Sequence, residues 1–217
     1  MQAGHIYYPK ITAFGDNFMI KTLFKGGFDD NLTYLIHAND GCCAIVDPCG
    51  ECALELERLN IPQENMKYIL ITHEHSDHFD ALDKVKKLFP SAQTAGFRNA
   101  EFNKDIPLND LSRLEFGNSF IEAIHTPGHS RGSLCYIYNQ DNAIFTGDTL
   151  FIDCIGFCRS PKNMAQSLRR LRELPDDLTI YSGHDYGSVP FRTLAEEKLK
   201  NPEFSIEFIE NLSTARS

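Results

Sequence analysis

The chain has 217 residues, a formal net charge of −9 and 42% hydrophobic residues, enough to bury a full-sized core. The acidic balance argues against nucleic acid, whose phosphate backbone needs a basic stripe. No apolar run approaches the roughly 18 residues of a membrane span, and the N-terminal residues lack the charged-then-apolar order of a secretory leader, so a cytoplasmic protein is expected.

In chain order, "HIYYP", "FMIKTLF" and "NLTYLIHA" read as strands, rich in β-branched and aromatic residues and separated by Gly/Asp turns. "CCAIVDP" follows as a strand, then "ECALELERLN" as a helix closed by Pro62. Strand "KYILIT" leads into a helix over "SDHFDALDKVKKLF", where Phe79, Leu82, Val85, Leu88 and Phe89 recur at spacings of three and four and Pro90 stops the run. The second half repeats the rhythm. Strands "SFIEAIHT", "SLCYIYN" and "NAIFTG" precede a helix near "NMAQSLRRLREL", strand "LTIYSG", a helix near "RTLAEEKLK" and one more helix in the tail. No linker or repeat interrupts the chain, so a single domain over 1–217 is expected, with 188–217 a short helical C-terminal extension. Strand groups followed by β-α succession suggest a layered α/β sandwich.

Seven cysteines is an odd number, and without an export signal they read as thiols. Cys49-Gly50-Glu51-Cys52 reads as small residues in a strand-to-helix turn, with a redox pair as the alternative. Cys154 and Cys158 have the same two readings, loop filler or neighbours of the site described next.

"THEHSDH", residues 72–78, packs three of the eight histidines behind an apolar strand. In extended backbone, side chains at i and i+2 point the same way, so His73 and His75 can converge on one ion. Asp77 and His78 stand at the entry of the next helix, with Ser76 or Asp77 as its N-cap, and the turn throws the second pair back beside the first. Two neighbouring metals are thus within reach of six residues. Imidazole and carboxylate suit Zn, Fe or Mn, and the lack of cysteine argues against a closed structural zinc site. Three more strand ends carry ligand types: His129 in "HTPGHSRGS", Asp148 in "IFTGDTLF" and His184 in "IYSGHDYG". Ligand sites in α/β sheets form beyond strand ends, so these loops are expected to compose one site. His5, His37 and His125 lie within strand-like runs and read as structural.

"THEHSDH", "TPGHSRGS", "TGDTLF" and "SGHDYG", with "VDP" and "DNLTYLI", resemble the metallo-β-lactamase-fold superfamily in order and spacing over nearly the whole chain. The resemblance implies an α/β fold, a four-layer αβ/βα sandwich with metals at one edge. It implies that His73, His75 and His129 hold one metal, that Asp77, His78 and His184 hold the other, and that Asp148 bridges them. Asp47 corresponds to an acid that orients a metal-bound imidazole. "GHDYG" and "EEKLKNP" look most like the glyoxalase II (hydroxyacylglutathione hydrolase) branch and its persulfide dioxygenase relatives. Flavodiiron members carry glutamate where this chain has His75, and nuclease branches carry an added domain for which this chain has little room. Two departures stand out. Phe157 falls where glyoxalase II has a basic residue that contacts glutathione, with Arg159 two places on, and the C-terminal helical domain is cut short. Tyr186 matches a glutathione-contacting tyrosine.

The implied function is hydrolysis of a small thioester or ester by hydroxide held between two divalent ions, zinc foremost, with iron or manganese as alternatives. Asp77 would orient the nucleophile, and Tyr186 or Arg159 would steady the substrate. A mononuclear-iron persulfide dioxygenase using His73, His129 and Asp148 is the second reading, and a metal-bearing sensor or binding scaffold the third. Either way the partner is a small molecule, with neither nucleic acid nor membrane involved, and an oligomer remains open.

Overall fold

Alternation along the strands sorts side chains between two faces, and in this protein both faces are apolar. The structure, a computed structural model, describes residues 20–27 and 29–215. The expected strand "HIYYP" and His5 lie outside the described residues. Strands β1 (Ile20–Gly26), β2 (Asn31–His37), β3 (Cys43–Val46), β4 (Met66–Leu70), β5 (Gln93–Phe97) and β6 (Ile106–Leu108) form one sheet in that order. Strands β7 (Arg113–Phe116), β8 (Ser119–His125), β9 (Leu134–Tyr138), β10 (Ala143–Gly147), β11 (Thr179–Ser182) and β12 (Arg192–Thr193) form the other, in the order β12-β11-β10-β9-β8-β7.

One face of each sheet turns toward the other. Leu32, Tyr34 and Ile36 of β2 meet Leu134, Tyr136 and Tyr138 of β9 in a shared core. The opposite faces are covered by helices. Leu35, Ile45 and Ile69 pack on Cys52 and Leu56 of α1 (Cys52–Leu59) and Val85 of α2 (Leu82–Leu88). Ile137, Ile144 and Ile180 pack on Met164 and Leu168 of α3 (Pro161–Arg172), Leu194 of α4 (Leu194–Lys200) and Ile209 of α5 (Ile206–Thr214). The result is the four-layer αβ/βα sandwich. Among the described residues, no helix is long and apolar enough to cross a membrane.

Three local differences from the sequence reading have physical causes. Residues 76–89 do not form one helix: Ser76–His78 make a single 3-10 turn and α2 begins at Leu82. Between them, Ala81 N–H donates to the Pro48 carbonyl (3.1 Å) and Asp80 Oδ1 accepts from Gly50 N–H (2.7 Å), which pins the segment to the β3–α1 loop. Neither Ser76 nor Asp77 caps a helix; His75 stands at the cap position of the turn without a side-chain bond. Strands β5, β6 and β7 carry no strong sequence signal: all are short, and Gly96 interrupts β5 and Pro107 β6. Finally, α4 starts at Leu194 rather than Arg192, because Thr193 and Glu196 close a reciprocal capping box.

Candidate metal centre

Four segments deliver the predicted ligands to one place. His73, His75, Asp77 and His78 follow β4, His129 follows β8, Asp148 follows β10 and His184 follows β11. His73, His75, His129 and Asp148 offer ligand atoms within 4.8 Å of one another, and so do Asp77, His78 and His184. Asp148 lies between the two groups. Its Oδ2 is 3.3 Å from His129 Nε2, 3.8 Å from His73 Nε2 and 3.4 Å from His184 Nε2, while Oδ1 is 3.3 Å from His78 Nε2.

Four of the five imidazoles, those of His73, His78, His129 and His184, have their outward nitrogen engaged. The Thr72 hydroxyl donates to Asp47 Oδ2 (2.6 Å), so it accepts from His73 Nδ1–H at 3.1 Å. His129 Nδ1–H donates to the Phe157 carbonyl (3.0 Å), His184 Nδ1–H to the Asp29 carbonyl (2.7 Å) and His78 Nδ1–H to Asp47 Oδ2 (3.0 Å). This fixes the tautomer of those four rings and leaves their Nε2 lone pairs aimed inward, while His75 faces the centre with Nδ1. In the first group, His75 Nδ1 stands 3.0 Å from His73 Nε2 and 2.9 Å from His129 Nε2. Three lone pairs facing one another repel unless a cation lies among them. Tetrahedral nitrogen ligands at 2.0–2.1 Å from zinc stand ~3.3 Å apart, close to this spacing. In the second group, His78 Nε2 and the nearby Asp148 Oδ1 are buried with no hydrogen-bond partner. A bound cation would satisfy both, so the residues present fit a divalent ion in each group.

The electrostatics agree. Burial first, then neighbouring imidazoles, holds His73 well below the ordinary histidine range. Burial followed by the Arg159 guanidinium lowers His75, and burial lowers His129. These three rings are neutral, the form that binds metal. Burial opposes ionisation of Asp148, yet His78 and His184 hold its carboxyl well below the usual range. His78 and His184 are themselves raised against burial by the same carboxylate. The acids of this pocket therefore call for positive charge at its centre.

Close approach explains the glycines. A Cβ on Gly183 would lie 2.3 Å from Asp148 Oδ1 and 2.8 Å from His78 Cε1, and one on Gly128 would lie 2.6 Å from the Met164 backbone. Any larger residue at either position displaces a ligand or α3.

The remaining predicted residues sit at the rim. Tyr186 is 45% exposed and stacks on His184 at 5.0 Å, with its hydroxyl donating to the Asp29 carboxylate. Phe157 is 75% exposed, its carbonyl holding His129. Arg159 is exposed, and its N–H donates to the Gly128 carbonyl (3.0 Å) beside His129. His125 stays out of the site. It stacks on Phe97 at 3.9 Å, and its Nε2 is 2.9 Å from the Arg131 carbonyl. Cys49 and Cys52 are buried and, by burial, pushed up to about 12. They fill the turn beneath Asp47 as protonated thiols, the opposite of a reactive pair.

Sequence reasoning overlooked Asn31, Asp29 and Glu74. Glu74 accepts from the Ser130 hydroxyl (2.9 Å), tying the two loops that carry the first group of histidines. Polar residues in turns are common, and only their spatial neighbours distinguish these.

Known proteins are similar to this chain over most of its length. The chain is 34% identical over 200 residues to a hydroxyacylglutathione hydrolase of Photobacterium profundum, covering 88% of this chain and 75% of that one. It is 36% identical to one of Bartonella quintana, covering 73% and 64%, so it spans less than two thirds of that relative. A probable polyketide biosynthesis zinc-dependent hydrolase of Bacillus subtilis is 29% identical, covering 87% of both chains. Among solved structures, ETHE1 from Myxococcus xanthus is 26% identical with a TM-score of 0.74, covering 92% of this chain and 93% of that one. TTHA1623 in a di-iron-bound form is 25% identical with a TM-score of 0.69, covering 82% and 98%. A family model described as the metallo-beta-lactamase superfamily matches residues 26–96 and 91–184. With that match spanning the ligand loops of both sheets, the chain belongs to the metallo-beta-lactamase superfamily.

Proposed function

We propose that this protein is a metal-dependent hydrolase of small thioesters or esters that works with two divalent ions. The observation that carries the reading is Asp148, whose carboxylate stands between two otherwise complete ligand groups. His73, His75 and His129 would hold one ion, Asp77, His78 and His184 the other, with Asp148 shared. Bound there, the ions supply Lewis acidity and lower the pKa of a water between them from about 15.7 toward 7. Zinc is supported by the Bacillus subtilis relative and iron by the di-iron-bound structure, and manganese suits the same ligands.

The chain's own groups divide the remaining work. Asp77 is the ligand whose side chain stays 42% exposed, so its carboxylate can meet an entering water, orient it and take its proton. Arg159 is exposed, and its guanidinium lies close enough to lower His75, which suits it to an anionic or carbonyl group of the substrate. Tyr186 keeps its hydroxyl on Asp29, so it presents a ring edge to the substrate. Phe157 adds a second aromatic surface at the rim. A thiolate leaves readily, so no separate strong acid is required. The seven unpaired thiols suit a reducing, cytoplasmic setting.

The test is turnover of a broad panel of S-acyl thiols and esters by metal-loaded protein. We expect hydrolysis that a chelator abolishes and His75→Ala removes, with loss of bound metal in that variant. Metal-loaded protein inert toward the whole panel refutes the proposal. A single-iron persulfide oxygenase using His73, His129 and Asp148 would instead consume oxygen with a persulfide. The completeness of the second group, with His78 Nε2 aimed into it, favours the two-ion hydrolase.

A further inference from the structure

Of the three ligands in the second group, only His78 is held by a strand end, through Asp47 on the residue after β3. Asp77 sits on a single 3-10 turn and His184 on the loop past β11. Both are held from the same remote place, residues 29–31 at the entry to β2. Asn31, only 2% exposed, donates from Nδ2 to Asp77 Oδ2 (2.9 Å) and to the Asp77 carbonyl (3.3 Å). Two residues earlier, the Asp29 carbonyl accepts from His184 Nδ1–H, and the Asp29 carboxylate accepts from Tyr186.

The backbone repeats this zip. Leu32 N–H donates to the Gly183 carbonyl (2.8 Å), Asp185 N–H donates to the Asp30 carbonyl (3.0 Å), and Asn31 and His184 form an antiparallel bridge. Lys25 pairs with Asp185 across the same seam. Gly27, at φ +84°, leaves room for the amide: a Cβ there would approach Asn31 Oδ1 to 3.3 Å. The first group has different holders, Thr72 for His73 and the Phe157 carbonyl for His129.

We propose that the entry to β2, residues 29–31, is a working part of the metal centre, with Asn31 a positioning residue that fixes Asp77 for the second ion and for its role toward the nucleophile. Without that amide, an Asp77 side chain so exposed swings into solvent, and the second ion loses its carboxylate. The first ion keeps all of its ligands. The inference rests on the two-ion reading, and its signature is selectivity between the ions.

The experiment is zinc titration against a chelating dye for wild type, Asn31→Leu and Asn31→Ala, with cobalt(II) absorption to follow each site. We expect the variants to bind the second equivalent 10–100-fold more weakly, the range for losing a partner of a metal ligand. The first equivalent should bind as in wild type and so report an intact fold. In wild-type protein, the assigned Asn31 side-chain amide resonance should shift on adding the second equivalent and not the first, a measurement that needs no variant to fold. Unchanged affinity for both ions in a folded variant, or an amide resonance indifferent to the second ion, overturns the assignment. Wild-type protein that takes up only one ion refutes the two-ion reading instead, and the inference with it.

Discussion

Asp47 offers the sharpest test of how the centre is held. It is 2% exposed and accepts three bonds: from Thr72 N–H (2.7 Å), the Thr72 hydroxyl (2.6 Å) and His78 Nδ1–H (3.0 Å). Asp47→Ala removes the acceptor of three donors; the Thr72 hydroxyl can rotate to another partner, which leaves the Thr72 amide and the His78 ring unsatisfied. At ~1–3 kcal/mol each, the metal-free protein should lose about 2–6 kcal/mol. The residue also has φ +48°, a left-handed conformation that asparagine tolerates and alanine does not, so Asp47→Asn isolates the charge. Its amide retains one acceptor oxygen for the Thr72 N–H but turns an N–H toward His78. That ring must then rotate or change tautomer. We expect the second ion to bind 10–100-fold more weakly, equivalent to ~1.4–2.8 kcal/mol. Urea unfolding of metal-free protein reads the first number, and chelator competition reads the second. If Asp47→Asn binds both ions within twofold of wild type, His78 does not depend on this carboxylate and the account of the second group is wrong.

Three other outcomes follow from particular contacts. Gly183→Ala should abolish the binding of at least one ion in elemental analysis, because its methyl would enter the space of Asp148 and His78; two ions retained would contradict the close approach. In native protein at neutral pH, alkylation followed by mass spectrometry should leave Cys49 and Cys52 unmodified, since their thiols titrate at about 12. Rapid labelling of either would revive the redox reading. Asp153 accepts from Ser188, and with Arg192 this holds its carboxyl down to about 2. Because the folded value lies below the unfolded one, its stabilisation is present above about pH 4 and is lost as pH falls toward 2. Arg192→Ala should weaken that loss, measured as a smaller drop in melting temperature across the same window.

The legibility of the sequence divides along physical lines. Ligands were readable because metal chemistry restricts residue type and the strand ends restrict position: the four motifs carry all seven. The layers were readable where strands are runs of β-branched and aromatic residues buried on both faces, as in β2 and β9. What stayed hidden depends on distance in the chain. Asn31 meets Asp77 across 46 positions and His184 meets Asp29 across 155, and no local pattern announces either contact. Strands β5 to β7 were missed because pairing with neighbours, rather than their own composition, makes them strands. The helix expected to begin at Ser76 fails for a related reason. The demand to aim Asp77 and His78 at the centre overrides an apolar spacing that suits a helix.

The order in which ligands occur along the chain has a consequence for biogenesis. A polypeptide emerging from the ribosome exposes His73 to His78 while Asp148 and His184 are still unmade, and the second sheet beside them is complete only after residue 193. Early capture of an ion would rest on a partial coordination set and would be weak and easily exchanged. Secure loading therefore waits until His184 has been made, which lets the ions drawn from the surrounding pool be sorted against a complete ligand set.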